Sequence, residues 1–386
     1  MYVESLEISG FASFKQIRWC PERLNVLIGL NGSGKSNLLR ALDLIRASAI
    51  GTLRDFVLNK GGFPRLLWGG LAQQMRFHIV ANPTQGGATV VYPFELAAVS
   101  QSASYQIVRE LLVFADGSAP EVQLLNRYMN ELQLQEGYTL IKPIDPAQAP
   151  PETETALSTI SVLWPHQVPY RFQQYLRAWA IYHDLRVDEH AEIRRPAVIR
   201  AEHRVSPDGQ NVIPVLKTLY DGDFKDAIDT GMSAAFPDDY RELFFRQTEP
   251  DRVQLYVRRK HGTREDSAAD LSDGTLRFLL LLTILATPDP PPLIAIDEPE
   301  AGLHPSMLPI IAEFAAQAAT RTQVILSTHS PQMLDAFGDT LPAATIFDWA
   351  GDHTELKTVR GDELRKWVAE YSLGRFIFSG EAAAVL

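Results

Sequence analysis

The sequence predicts an α/β fold in which short parallel strands end in chemistry-bearing loops. Three observations carry that expectation. Gly29-Leu30-Asn31-Gly32-Ser33-Gly34-Lys35-Ser36 matches G-x-x-x-x-G-K-[ST] and stands between a buried-strand pattern, Asn25 to Ile28, and a helical one. Leu293 to Ile296 is a short apolar run that ends in Asp297-Glu298. Gln323 to Leu326 is another, and it ends in Ser327-Thr328-His329-Ser330. Runs this short and apolar suit strands buried on both faces of a parallel sheet.

The elements follow in order. Leu6 and Ile8, then Ile17 and Trp19, mark two strands ahead of the one at Asn25 to Ile28. Leu38, Ala41, Leu42 and Ile45 recur at i, i+3, i+4, i+7, so a helix starts at Ser36. Met75 to Val80, Thr89 to Leu96 and Tyr105 to Phe114 are β-rich runs separated by turn signals at Asn82-Pro83, Gln85-Gly86-Gly87 and Asp116-Gly117, which predicts an antiparallel meander. Pro143 to Pro151 carries four prolines and reads as a linker. Arg171 to Arg186 and Val212 to Tyr220 read as helices, with Trp164, Tyr170, Phe172, Tyr175 and Trp179 as core aromatics. Val253 to Val257 with a His261-Gly262 turn reads as a hairpin. Leu271-Ser272-Asp273-Gly274-Thr275 opens a strongly apolar helix with Ser272 as its N-cap.

Chemistry follows from three of these loops. Glycines let the backbone of residues 29–36 curl so that successive N–H groups face a phosphate, and the next helix adds its N-terminal dipole. Lys35 would reach the β- and γ-phosphates of a nucleotide, and the Ser36 hydroxyl would hold Mg²⁺. The four fixed positions arise by chance in about one chain of this length in a hundred, and the strand–loop–helix context lowers that further. Two acids at a buried strand end are costly without a cation, which a Mg–nucleotide supplies. Asp297 would bind the metal directly or through water, and Glu298 would polarise the attacking water. His329, at the end of the next strand, could reach the γ-phosphate.

Composition bounds the partners. The 386 residues are 46% hydrophobic and 22% charged, which excludes a disordered chain. Thirty-six basic against 47 acidic residues give a formal charge of −11, so any contact with nucleic acid needs a local patch. The densest one is Arg258, Arg259, Lys260, His261 and Arg264, with Glu265, Asp266 and Asp270 close behind. A single cysteine, Cys20, excludes a disulfide framework and fits a cytoplasmic protein. The longest uncharged apolar run, Phe278 to Ala286, is far too short to span a bilayer, so no membrane partner is expected. His183, His190 and His203 lack metal-ligand spacing and read as surface residues.

Taken in order, these segments resemble the ATP-binding-cassette ATPases, and more narrowly the RecF/SMC-like branch and the stand-alone ATPases related to overcoming-lysogenization-defect proteins. Walker A is Gly29 to Ser36, followed by Asn37; the signature is Leu271 to Thr275; Walker B is Leu293 to Glu298; Asp297 to Pro305 is similar to the D-loop region, and His329 to the switch histidine. The resemblance implies a single head over residues 1–386 with an α/β P-loop core (1–60 and 265–386), an antiparallel β-lobe (61–150) and an inserted, mainly helical lobe (151–264). It implies that ATP binds Gly29, Asn31, Gly32, Ser33, Gly34, Lys35, Ser36 and Asn37, and that Ser272 and Gly274 of a second subunit close over it in an ATP-dependent homodimer. Mg²⁺ would sit on Ser36 and Asp297, with Glu298 and His329 catalytic. The activity expected is that of a switch ATPase in DNA maintenance, DNA repair or anti-phage defence, acting on a separately encoded nuclease or toxin. The alternative is an ATP-gated scaffold with little turnover. His304 stands where transporters carry Asp, and Gln73 and Gln74 are Q-loop candidates without distinctive context. The 235 positions between Ser36 and Leu271 hold no heptads, so long coiled-coil arms are not expected.

Overall fold

A computed structural model describes residues 1–364 apart from 71, 84–87, 100–103, 116–120, 130, 137–138, 142–148, 164–166, 262–264, 339 and 362. Most of the proline-rich linker, Trp164, the glycine turns at 85–87 and 116–117, Gly262 and Arg264 lie outside the described residues.

The chain opens with β1 (Tyr2–Phe11), β2 (Phe14–Trp19), β3 (Leu24–Gly29), α1 (Lys35–Ile50) and α2 (Leu53–Asn59). A meander follows: β4 (Gln74–Asn82), β5 (Thr89–Ala98), β6 (Tyr105–Ala115), β7 (Val122–Tyr128), β8 (Glu131–Glu136) and β9 (Thr139–Ile141). The middle holds α3 (Ala156–Leu163), α4 (Gln167–Arg177), β10 (Ala180–Tyr182), β11 (Ala197–Val198), α5 (Val212–Asp221) and α6 (Lys225–Ala235). Then come β12 (Tyr240–Glu249), β13 (Arg252–Arg259) and β14 (Glu265–Ser267). The last part comprises α7 (Asp273–Ala286), β15 (Leu293–Asp297), α8 (Leu308–Ala319), β16 (Gln323–Thr328), α9 (Pro331–Asp335), β17 (Ala343–Trp349) and β18 (Thr354–Val359).

Three sheets form among the described residues. The meander joins β1 and β2 in an antiparallel sheet of order β2-β1-β4-β5-β6-β7-β8-β9, so the first two strands side with the β-lobe. The core sheet runs β10-β15-β16-β3-β17-β18, parallel throughout except for β18. A small sheet pairs β11, β13 and β12, with β14 on β13.

The core sheet divides two apolar cores by the period of two that strands impose. Val26, Ile28, Ile294, Ile296, Val324 and Leu326 face the core that includes α5 to α8. Leu27, Leu293, Ala295 and Ile325 face the core made with α1, α3, α4 and the meander. A helix over Arg171 to Arg186 is not what forms. α4 ends at Arg177, and Ala180-Ile181-Tyr182, buried on both faces, joins the core sheet as its edge strand. Tertiary burial overrides the helical spacing there. Phe172, Tyr175 and Trp179 are buried in the core, whereas Tyr170 is exposed.

Candidate active site

Register places the candidate residues in one row. Tyr182 pairs with Ile296, Asp297 with Ser327, Thr328 with Ile28, and Phe347 with Gly29. The carboxyl ends of β10, β15, β16 and β3 therefore bring His183, Asp297, the Ser327 to His329 loop and the phosphate loop side by side. Open α/β sheets bind ligands in this crevice.

The loop is locked from two sides. Gly32 and Gly34 have φ of 83° and 112°, the region that favours glycine. A Cβ on Gly34 would overlap Thr354 Oγ1 and Ser13 Oγ. Those two side chains form a clasp: Thr354 Oγ1 donates to Ser33 O at 2.7 Å, Thr354 N donates to Ser13 O at 2.9 Å, and Asn37 Nδ2 donates to Ser13 Oγ at 2.8 Å. Asn37 thus braces the loop from the first turn of α1. Lys35 is 6% exposed, and its Nζ donates to Gly29 O at 2.6 Å and Leu30 O at 3.0 Å. Burial lowers its pKa against the raising effect of Glu298, Asp297 and Glu300. Ser33 Oγ is buried without a partner, while Asn31, Gly32 and Ser36 are exposed at the mouth.

The acids are held from the neighbouring strand. Asp297 Oδ1 accepts from the Ser327 hydroxyl. Burial pushes the Asp297 carboxyl up, but the nearby His183 imidazole and the Ser327 and Ser36 hydroxyls bring it below its ordinary range. Glu298 adopts φ of +47°, a left-handed conformation costly for a glutamate. Its N–H is tied to Ser327 O at 2.9 Å, and its carbonyl accepts from Arg277 Nη2 at 3.1 Å. This kink turns the carboxylate, 45% exposed, toward His329, whose Nδ1 is 3.2 Å from Glu298 Oε1. Glu300 is a third acid that sequence reasoning passed over. It is 8% exposed, accepts from Thr328 Oγ1, and lies 3.9 Å from His329 Nδ1; burial raises its pKa.

His183 is not the free surface residue its sequence context suggests. Its Nε2 pairs with Asp43 Oδ2 and its Nδ1 lies 3.9 Å from Asp297 Oδ2. Burial lowers its pKa, but the two carboxylates override that and push it up to about 9. Of the Q-loop candidates, Gln74 opens β4 in the meander and Gln73 precedes it, so neither lies on the core sheet that carries Asp297. The cue was the apolar run at 179–182, which ends in His183 as Leu293 to Ile296 ends in Asp297.

The signature segment opens α7. Ser272 caps α7 by accepting from Thr275 N at 3.2 Å, and both Ser272 and Asp273 are exposed. A Cβ on Gly274 would come within 2.8 Å of Gly302 O, so glycine lets the signature pack against the D-loop-like turn. Arg194, unremarked in the sequence, secures the segment from below. It donates to Leu271 O at 2.8 Å and Ala269 O at 3.0 Å and pairs with Asp273. His304 closes its own turn, with Nδ1 accepting from Ser306 N at 3.3 Å. The basic cluster is largely neutralised: Arg258 pairs with Glu242 and Glu265, and Arg259 with Asp239 and Asp266.

Residues 24–98 and 157–335 match the family described as "AAA domain, putative AbiEii toxin, Type IV TA system". The chain belongs to this family. Comparison with curated proteins gives no match. Among solved structures, this AAA protein is similar to an SMC head bound to the C-winged helix domain of ScpA, with 14% identity, TM-score 0.55 and coverage of 95% of this chain and 100% of that one. It is also similar to the SMC head domain from Thermotoga maritima (15% identity, TM-score 0.51, 94% and 100% covered). A third match is the Pyrococcus furiosus Smc head bound to the C-terminal domain of ScpA (12% identity, TM-score 0.52, 96% and 99% covered). The fold is that of an SMC-head, ABC-like P-loop ATPase. No helix among the described residues is long and apolar enough to cross a membrane.

The residues fit a Mg–nucleotide. The Ser36 hydroxyl and the Asp297 carboxyl, held below its ordinary pKa range, are hard oxygen donors. Among the described residues no group of three or more His, Cys, Asp or Glu could hold a metal alone. Mg²⁺ is bound through one or two carboxylates together with substrate phosphates, a role open to Asp297 beside the phosphate loop. The orphaned Ser33 hydroxyl adds a polar group without a protein partner to the phosphate loop.

Proposed function

We propose that this protein is a Mg²⁺-dependent switch ATPase that hydrolyses ATP to ADP and phosphate and associates with a second copy of itself around the nucleotide. The observation that carries the reading is the row formed by the phosphate loop, Asp297, Glu298 and His329 at the ends of parallel strands. Lys35 would exchange its loop carbonyls for the β- and γ-phosphates, and Ser36 and Asp297 would hold the metal. Bound Mg²⁺ neutralises charge developing on the phosphates. Glu298 would take the proton of the attacking water, with His329 holding its carboxylate in place.

Ser272 and Gly274 would complete the site of a second subunit. Support comes from the signature's position: Ser272 is exposed and its hydrogen bonds stay within its own turn, so no residue of its own phosphate loop engages it. The family's toxin–antitoxin description supports a role in anti-phage defence; DNA maintenance and a separately encoded nuclease or toxin as effector are further parts of the same proposal. The neutralised Arg258–Arg259 cluster gives no support to direct DNA contact on that hairpin. Steady-state phosphate release by wild type and Glu298→Gln, with sedimentation in Mg·ATP, tests the reading. Turnover lost in the variant with ATP-dependent association retained supports it. Association without turnover in wild type would make the protein an ATP-gated scaffold.

A further inference from the structure

We propose that His183 is a positioning residue of the nucleotide site, bridging Asp43 on α1 to Asp297 and so holding the Asp297 carboxylate at the Ser36 hydroxyl. The inference rests on the ATPase reading above and adds a residue from outside the phosphate-loop, acidic-strand and signature segments.

Two independent parts of the fold create the bridge. β10 is parallel to β15 with Tyr182 opposite Ile296, so His183 is level with Asp297 by register. Asp43 lies seven positions after Ser36 on α1, hence on the same helix face two turns along. His183 spans the gap between strand end and helix face. Its Nε2 engages Asp43 Oδ2, and its Nδ1 faces Asp297 Oδ2 at 3.9 Å. Ser327 holds the other oxygen, Oδ1. Both oxygens of one carboxylate therefore have a partner on the protein side, a hydrogen bond at Oδ1 and an ion-pair contact at Oδ2. Outer partners of metal-binding carboxylates orient them in this way, and removing one typically costs about 10–100-fold in metal affinity.

A merely structural role fits the position poorly. The β10 edge is already anchored by Ala180, Ile181 and Tyr182, each at most 5% exposed. The His183 side chain is 37% exposed and adds little to that burial. What it supplies is a second link between α1 and the acid strand, through Asp43, beside the one at Ser36.

The test reads metal coupling and not turnover. Binding of a fluorescent mant-ATP is titrated at rising Mg²⁺ for wild type, His183→Ala, His183→Asn, His183→Gln and Asp43→Asn, with thermal unfolding of each measured in parallel. His183→Ala should need about tenfold more Mg²⁺ for half-maximal enhancement while its metal-free nucleotide affinity stays within about twofold. Asn places an amide near the Nδ1 position and should recover part of the coupling. Gln extends toward Asp43 and should recover none. Asp43→Asn keeps the imidazole and should shift the coupling in the same direction, so the test survives if His183→Ala fails to fold. Wild-type Mg²⁺ dependence in both His183→Ala and Asp43→Asn would overturn the assignment and leave the ATPase reading intact. A wild type whose mant-ATP binding ignores Mg²⁺ would overturn both.

Discussion

The two halves of the proposed site are built in opposite ways. The phosphate-loop half is finished within one chain: Lys35 is buried, Gly34 is wedged against Ser13 and Thr354, and Asp297 is held by Ser327 and His183. The signature half is open. Ser272 and Asp273 face solvent, and what holds the segment in place, Arg194 and the Gly302 turn, lies behind it. The contrast teaches where binding energy is prepaid. A preorganised pocket suits a ligand that must be gripped whenever it arrives, whereas an exposed capped turn suits a surface completed by another molecule.

Four substitutions test that contrast, in falling order of effect. Glu298→Gln removes the proton acceptor but keeps its shape, and phosphate release should drop by about 10²–10⁴-fold with Mg·ATP binding retained. Unchanged turnover would move the base elsewhere, with His329 the first residue to examine. Lys35→Ala removes charged hydrogen bonds to phosphate worth about 1.5–3 kcal/mol, roughly a 10- to 150-fold loss of nucleotide affinity. Calorimetric titration should find that loss without a fall in secondary structure, and unaltered affinity would disprove the phosphate-loop assignment. Ser272→Arg acts on the open half. Nucleotide binding by the single chain should survive, while ATP-dependent association weakens about tenfold in sedimentation and turnover falls with it. Full turnover in a protein that stays monomeric would sink the two-chain mechanism. Thr354→Val, which cuts the clasp at Ser33 O, should cost about 1 kcal/mol, near a fivefold loss in mant-ATP affinity. No change there would mean the loop holds its curl unaided.

Much of the closed half was legible in the sequence because its chemistry is local. Gly29 to Ser36 encodes its turn in consecutive glycines, and Asp297-Glu298 closes an apolar strand, so motif and element coincide. His183 was not legible for the opposite reason. Its role depends on β10 lying next to β15, and the run that makes β10 also fits a continued helix from Arg171. Arg194 escaped because an arginine in an irregular segment announces nothing until its carbonyl partners at Ala269 and Leu271 are known. The β1–β2 pair was visible as strands but not as part of the meander sheet, since pairing between Leu6 and Ile79 is a long-range choice. The basic hairpin misleads in the other direction: composition advertises a cationic patch, and strand pairing sets a carboxylate beside each of Arg258 and Arg259.

The clasp also has a consequence for synthesis. Thr354 emerges 341 residues after Ser13, yet both must meet across Ser33 before the loop has its walls. A nascent chain carries the phosphate-loop sequence through some 318 further residues, from Ser36 to Thr354, without the clasp that shapes it. Such long-range closure comes late in folding. Because a ligand stabilises only the species that binds it, cellular ATP favours the completed molecule and gives far less to any fragment still on the ribosome.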